Sequence, residues 1–197
     1  MSKYAISVLL LSAAMCRADF SFSIDPTPQT VALGSQVTFT LDTAGFGNGT
    51  TALGTYDLLI TFDPTVLNFD NATFGTDLDP DGFGLNPQTV TQGTGTVEIA
   101  EVSLDPAADL LSQQPAAFTL ATVVFDTLGA ATNSALVLSE FAIGDQDGND
   151  ISVASVLNGA SVNVSQSSGV PEPATITLLS GGVLLLIAIR SRIRRTR

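Results

Sequence analysis

TYDLLITF, Thr55 to Phe62, puts Tyr56, Leu58, Ile60 and Phe62 on one side of an extended chain. Apolar side chains with a period of two mark a strand with one face in a core. Asp63-Pro64 ends it in a turn, since proline cannot donate to a ladder and aspartate bonds its own nearby backbone. Leu67 and Phe69 follow as a core patch. Towards the N-terminus, Phe20, Phe22 and Ile24 alternate in FSFSID, and Val37, Phe39 and Leu41 alternate in QVTFTLD. Towards the C-terminus, Val97, Ile99 and Glu101 alternate against Ala100, Val102 and Leu104. Phe118 to Phe125 is a near-continuous apolar run, the pattern of a central strand covered on both faces. Leu136 to Ile143 and Ala160 to Val164 complete the set. Asp105 to Gln114 leaves room for one helical turn. Eight or nine short strands parted by Gly, Pro, Asn and Asp predict an all-β fold, a β-sandwich or jelly roll of about nine strands.

Charge divides the chain. All seven basic residues lie at its two ends: Lys3, Arg17, Arg190, Arg192, Arg194, Arg195 and Arg197. Of the nineteen acids, eighteen fall between Asp19 and Asp150. The formal net charge is -12, and the stretch between the ends is more anionic still. Nucleic acid is thereby excluded as a partner, because phosphate contacts need cations. The same charge favours solubility and attraction for divalent cations, or simply a solvated acidic surface.

The ends read as targeting segments. Residues 1–18, MSKYAISVLLLSAAMCRA, carry Lys3, an apolar run from Ala5 to Met15, and Cys16-Arg17-Ala18 as a small-x-small cleavage site after Ala18. The only cysteine lies in this segment, so the remaining protein has neither disulfide nor thiol chemistry. A body over 19–165 follows, then a flexible spacer at 166–169, QSSG. Residues 170–197 comprise Pro171-Glu172-Pro173, an uncharged run over 174–189, and a basic tail over 190–197. Sixteen uncharged residues stand just short of a normal membrane span of about 20, and the flanking arginine stems extend it. Such a run bounded by arginines predicts one transmembrane helix with its basic end on the cytoplasmic side.

The order Pro171-Glu172-Pro173, apolar helix, arginine cluster (Arg190, Arg192, Arg194, Arg195) closely resembles the PEP-CTERM sorting signal of bacterial exported proteins. The resemblance implies recognition by an exosortase-type membrane enzyme that cuts near Pro-Glu-Pro. It implies a protein exported by a Sec-type signal, anchored in the inner membrane before processing, and then found at the cell surface or outside the cell.

A second resemblance covers the body. TYDLLITFDPTVLNFDNATFG (Thr55–Gly75), FTLATVVFDTLG (Phe118–Gly129) and GDQDGNDISVASVLNGASVNV (Gly144–Val164) look in turn like the Asp-Pro strand end, the later central strand and the closing hairpin of cohesin-like domains. These imply a nine-stranded jelly roll related to carbohydrate-binding modules, in a family whose members bind dockerin modules or sit on cell surfaces.

Chemistry is narrowed by what the chain lacks. It has no histidine and no tryptophan, which removes Ser-His-Asp and Cys-His catalysis and any His or Cys zinc site. Paired carboxylates hydrolyse glycosides, but these acids fall mainly in turns, where aspartate is expected for backbone reasons. Tyr56 is the only Tyr or Trp of the body and its strand pattern buries it, which weakens a sugar-binding platform. The loop residues Phe46 and Phe83 either serve in its place or fold back on the core. Two loops alternate hard oxygen ligands as calcium loops do. One is Asp77, Asp79, Asp81 with Gly82, which has Gln88 where a bidentate Glu is needed. The other is Asp145, Asp147 and Asn149, with Asp150 where the glycine belongs. These loops are either solvated turns with no cofactor or sites for calcium.

The reading is an exported, non-catalytic binding or structural module of the cell surface or extracellular matrix. Its expected partners are the sorting enzyme and an unknown surface protein or glycan. The alternatives are a carbohydrate- or dockerin-binding accessory module of a polysaccharide-processing system, and a cryptic glycoside hydrolase.

Overall fold

Tyr56, Leu58 and Ile60 are buried and lie on strand β4 (Leu53–Thr61), one of eleven strands in the described residues. The computed structural model describes residues 20–166 except 48, 153 and 154. The signal segment with Ala18, and the sorting segment with Pro171, Glu172, Pro173, Arg190, Arg192, Arg194 and Arg195, lie outside them. Among the described residues no helix is long and apolar enough to cross a membrane. The chain divides into units of residues 1–165 and 166–197, and all eleven strands belong to the first.

The strands are β1 (Phe20–Asp25), β2 (Gln29–Ala32), β3 (Gln36–Ala44), β4, β5 (Leu67–Phe74), β6 (Gln88–Gly93), β7 (Thr96–Val102), β8 (Ala117–Thr127), β9 (Ala131–Asp145), β10 (Ser155–Asn158) and β11 (Ala160–Ser165). One helix, α1 (Ala107–Gln113), sits before β8. Five strands form a sheet in the order β10-β1-β3-β8-β5, and six form a second in the order β2-β11-β9-β4-β7-β6. Pairing is antiparallel except where β10 joins β1 and β2 joins β11. The alternating apolar rows meet between the sheets: Phe22, Ile24, Phe39 and Leu41 from one, Tyr56, Leu58, Ile60, Val97 and Ile99 from the other, all at most 1% exposed. Phe125 is ringed by Phe62, Phe69 and Phe39, with ring centroids 5.0, 6.0 and 6.2 Å away, in the edge-on geometry aromatic quadrupoles prefer.

Two expectations are corrected. The Phe118–Phe125 run lies on an interior strand of its sheet, next to the edge strand β5, and is not covered on both faces. A register shift opposite Leu41 and Asp42 leaves Leu120 as an extra residue, so adjacent Leu120 and Ala121 both turn inward. Thr119, Thr122 and Val124 stand half-buried on the outer face. The apolar run therefore reflects a bulge in a one-sided strand. The strand number is eleven rather than about nine. The additional strands are β2, β6 and β10, which are four to six residues long with no inward apolar row to reveal them.

Candidate docking face

The outer face of the six-stranded sheet is built from the residues of β4 that alternate with its core row: Thr55, Asp57, Leu59 and Thr61. Across β7 they face Val102, Ala100, Glu98 and Thr96. Across β9 the register slips: Asp57 pairs with Ala142 while Leu58 pairs with Glu140, which leaves Phe141 unpaired between them. An extra residue in one strand re-aims side chains, and here the outcome is a phenylalanine 59% exposed on a sheet surface. Val137, opposite Thr61, is 52% exposed, and Val102, opposite Thr55, is 43% exposed. Asp57 lies on this face with its Oδ1 buried and without a hydrogen-bond partner. Burial, and then the Glu98 carboxylate on the neighbouring strand, push its carboxyl above the usual range. A buried acceptor left unmade costs about 1–3 kcal/mol, so this face holds an unused site for a donor beside exposed apolar groups.

A polar network fixes the end of the sandwich next to this face. Glu101 shares the inner side of β7 with Val97 and Ile99 and is 1% exposed. Its carboxylate accepts from Gln88 Nε2 at 3.0 Å, the Tyr56 hydroxyl at 3.3 Å and Asn86 Nδ2 at 3.4 Å. Burial raises its pKa, the three donors oppose this, and nearby Asp79 adds to the rise. Tyr56 is pushed far upward by its own burial and by Glu101. Gln114, just past α1, clamps β4 by accepting from Leu53 N at 2.6 Å and donating to Leu53 O at 3.0 Å. Asn86 ties the preceding loop down by donating to Leu78 O and accepting from Leu104 N.

The acidic loops do not bring their carboxylates together. Among the described residues no group of three or more His, Cys, Asp or Glu side chains is placed to hold a metal ion. Asp145 Oδ1 accepts from the backbone N–H of Asp147 and of Asn149, each at 2.9 Å, and Asn149 turns its amide nitrogen onto the same carboxylate. Burial alone would raise Asp145, but these bonds hold it below the usual range. The Asp145, Asp147, Asn149 alternation is thus accounted for by a turn that closes on its own N–H groups. In the other loop, Asp79 accepts from Gly84 N, while the exposed Asp81 offers its N–H to Asp105. Asp77 is half-buried, raised by that burial, and lines an open surface pocket with Thr76, Asp79, Pro80 and Gln113.

The aromatic residues sort as their burial dictates. Tyr56 is fully buried, and Phe46 folds back to stack on Phe20 at 4.4 Å. Phe83 stays 72% exposed. The sequence placed Glu101 on the core side of its strand without exposing its role. Phe141 was hidden, because nothing in Leu136–Ile143 announces a bulge.

No family model matches the chain, and no curated protein matches its sequence. Solved structures share its fold. The sixth cohesin of Acetivibrio cellulolyticus scaffoldin B, solved in complex with a mutant Cel5 dockerin, aligns over 74% of this chain and 99% of its own, with TM-score 0.58 and 20% identity. A non-cellulosomal cohesin from the hyperthermophilic archaeon Archaeoglobus fulgidus aligns over 77% and 94%, with TM-score 0.57 and 14% identity. The cohesin module of a Clostridium perfringens family 33 glycoside hydrolase aligns over 76% and 99%, with TM-score 0.56 and 16% identity. The body thus has the fold of cohesin modules.

Proposed function

We propose that the body is a non-catalytic protein-binding module that docks a dockerin-like or other folded surface protein on the outer face of its six-stranded sheet. The observation that carries this is Phe141, lifted into solvent by a bulge beside the unpartnered Asp57. Exposed apolar side chains around a polar group short of a donor form the centre of a docking patch. The Asp57 and Glu98 carboxylates suit a partner that brings a lysine, an arginine or a hydroxyl to this centre. Solved cohesin–dockerin complexes of the same fold support a protein partner over a polysaccharide. The buried Tyr56 is not available as a platform for sugar binding. The Pro171-Glu172-Pro173 segment and its arginines would bring the module to the cell surface through an exosortase-type enzyme.

The test is capture from envelope and secreted fractions with wild-type protein, Phe141→Asp and the control Phe83→Asp, together with binding to a panel of polysaccharides. A surface protein retained by wild type and Phe83→Asp and lost with Phe141→Asp is the expected result. Capture indifferent to Phe141, or retention of polysaccharide alone, would overturn the proposal.

A further inference from the structure

Strand β6 is the outermost strand of the six-stranded sheet, and all six of its residues are exposed. It pairs with β7 from Gln88↔Glu101 to Gly93↔Thr96 without a register shift. It carries no charge and no proline. Proteins blunt free edges with charges, prolines, bulges or very short strands, because unpaired N–H and C=O groups recruit other chains. The other three edges of the described residues are blunted in this way. Strands β2 and β10 are four residues each, and β5 carries Asp70 with a register slip between Phe69 and Asn71. The β6 edge alone is left long, flat and neutral.

We propose that this edge pairs with the same edge of a second copy of the chain, antiparallel, about a two-fold axis through Val90. Gln88-Thr89-Val90-Thr91-Gln92 reads the same in both directions. Antiparallel pairing centred on Val90 sets Val90 against Val90, Thr89 against Thr91 and Gln88 against Gln92, so every side chain meets its own kind. The backbone agrees with this centre. Val102 N donates to Pro87 O at 3.1 Å, so by alternation residues 89, 91 and 93 also bond to β7, while Gln88, Val90 and Gln92 present N–H and C=O outward. Three such pairs give about six hydrogen bonds between the copies. The Val90 side chain, 38% exposed, lies over Ile99 on the core side. Pairing carries that apolar row across the axis.

Charge favours this edge for a second copy. Glu98 and Glu101 sit on β7, one strand inward, so their counterparts across β7-β6-β6-β7 are about 14 Å away or more. That exceeds a Debye length of about 8–10 Å at physiological salt. Two copies can therefore meet here without setting these β7 carboxylates face to face.

The test uses the full chain in a Cys16→Ser background, oxidised mildly and run on a non-reducing gel. Across a hydrogen-bonded antiparallel pair, the two Cα atoms of Val90→Cys stand about 5.5 Å apart, within disulfide reach. The two copies of Gln92→Cys stand about 13 Å apart, beyond the bridging limit of about 7 Å. The expected result is at least tenfold more cross-linked dimer for Val90→Cys than for Gln92→Cys. Val90→Pro tests the same edge by sedimentation. Its lost N–H points away from the sheet, so the fold and its melting temperature are retained while the dimer is lost. Equal cross-linking at the two positions, a monomeric wild type, or a dimer that survives Val90→Pro would each overturn the proposal. Phe141 lies three strands away on β9, so Phe141→Asp leaves the cross-link unchanged and the two proposals fail separately.

Discussion

Three consecutive residues of β8 separate a strand covered on both faces from a strand covered on one. Val123 is 1% exposed, Val124 is half-buried on the outer face, and Phe125 is fully buried. Val→Ala deletes the same two methyl groups at 123 and 124, so only their surroundings differ. At 123 the lost transfer energy of about 0.8 kcal/mol per group, with the cavity left between the sheets, totals about 2–3 kcal/mol. At 124 the group is partly hydrated and the space opens to water, so about 0.5–1 kcal/mol is expected. Phe125→Ala empties the centre of the four-ring cluster and costs about 3–5 kcal/mol. A domain of this size loses about 2–4 °C of melting temperature per kcal/mol. The series should therefore fall by about 8, 2 and 12 °C for Val123→Ala, Val124→Ala and Phe125→Ala, converted with the same slope. The assay is thermal unfolding of the 19–165 body by circular dichroism or calorimetry. Equal losses at 123 and 124 would mean that both faces of β8 are buried, and would refute the bulge-based account of the apolar run.

The remaining predictions concern pH, ions and processing. Glu101, Asp57 and Asp77 have raised pKa values, so protons bind the folded state more tightly; the stability they contribute is full below the unfolded values and is lost as pH rises through the folded ones. Asp63, Asp145 and Asp150 are held low by hydrogen bonds, and their contribution is lost as pH falls through the folded values. Melting temperature should rise from pH 7 to about pH 5 and fall again below the ordinary carboxylate range of about pH 4, with Glu101→Gln flattening the upper limb; a steady rise from pH 5 to 8 would contradict this. Calcium should raise the melting temperature no more than sodium chloride at equal ionic strength, because Asp145 is already occupied by N–H donors; an excess removed by Asp79→Ala or Asp147→Ala would restore the calcium loops. Mass spectrometry of protein from a host with an exosortase-type enzyme should show loss of about the first 18 residues and of the arginine tail; retention of Arg197 there would remove the sorting reading.

What could be read in advance follows from periodicity. Strands with an inward apolar row, such as β1, β3, β4 and β7, announce themselves because burial imposes a period of two. Strand β6 has no inward row of that kind: only Val90 of its Gln88-Val90-Gln92 side is apolar. It is a strand because β7 beside it offers a free ladder, which is tertiary information. The docking face was illegible for a related reason. Asp57 and Phe141 acquire their meaning from a one-residue slip between β4 and β9, and a slip belongs to the pairing of two strands, not to either sequence alone. The aspartate loops suit two readings from sequence: alternating acids fit calcium, and they equally fit turns in which carboxylates accept from nearby backbone N–H groups.

A body with eighteen acids and no Lys or Arg between Ala18 and Arg190 must satisfy its carboxylates without cations, and where it does so distinguishes its two outer faces. On the five-stranded sheet neutral donors do the work. Ser23 donates to Asp25 and Thr40 to Asp42, each at 2.7 Å, and Thr119 also reaches Asp42. Gln36 spans Asp70 and Asp126 at 3.1 and 3.2 Å. A partner cation approaching that face would have to compete with bonds already made. On the six-stranded sheet Asp57 keeps a buried oxygen without a donor, beside Glu98. Charge-assisted bonds strengthen as water is excluded, so the same cation gains more there. The asymmetry is one of free acceptors rather than of net charge, and it directs a basic or hydroxyl-bearing partner to the face that carries Phe141.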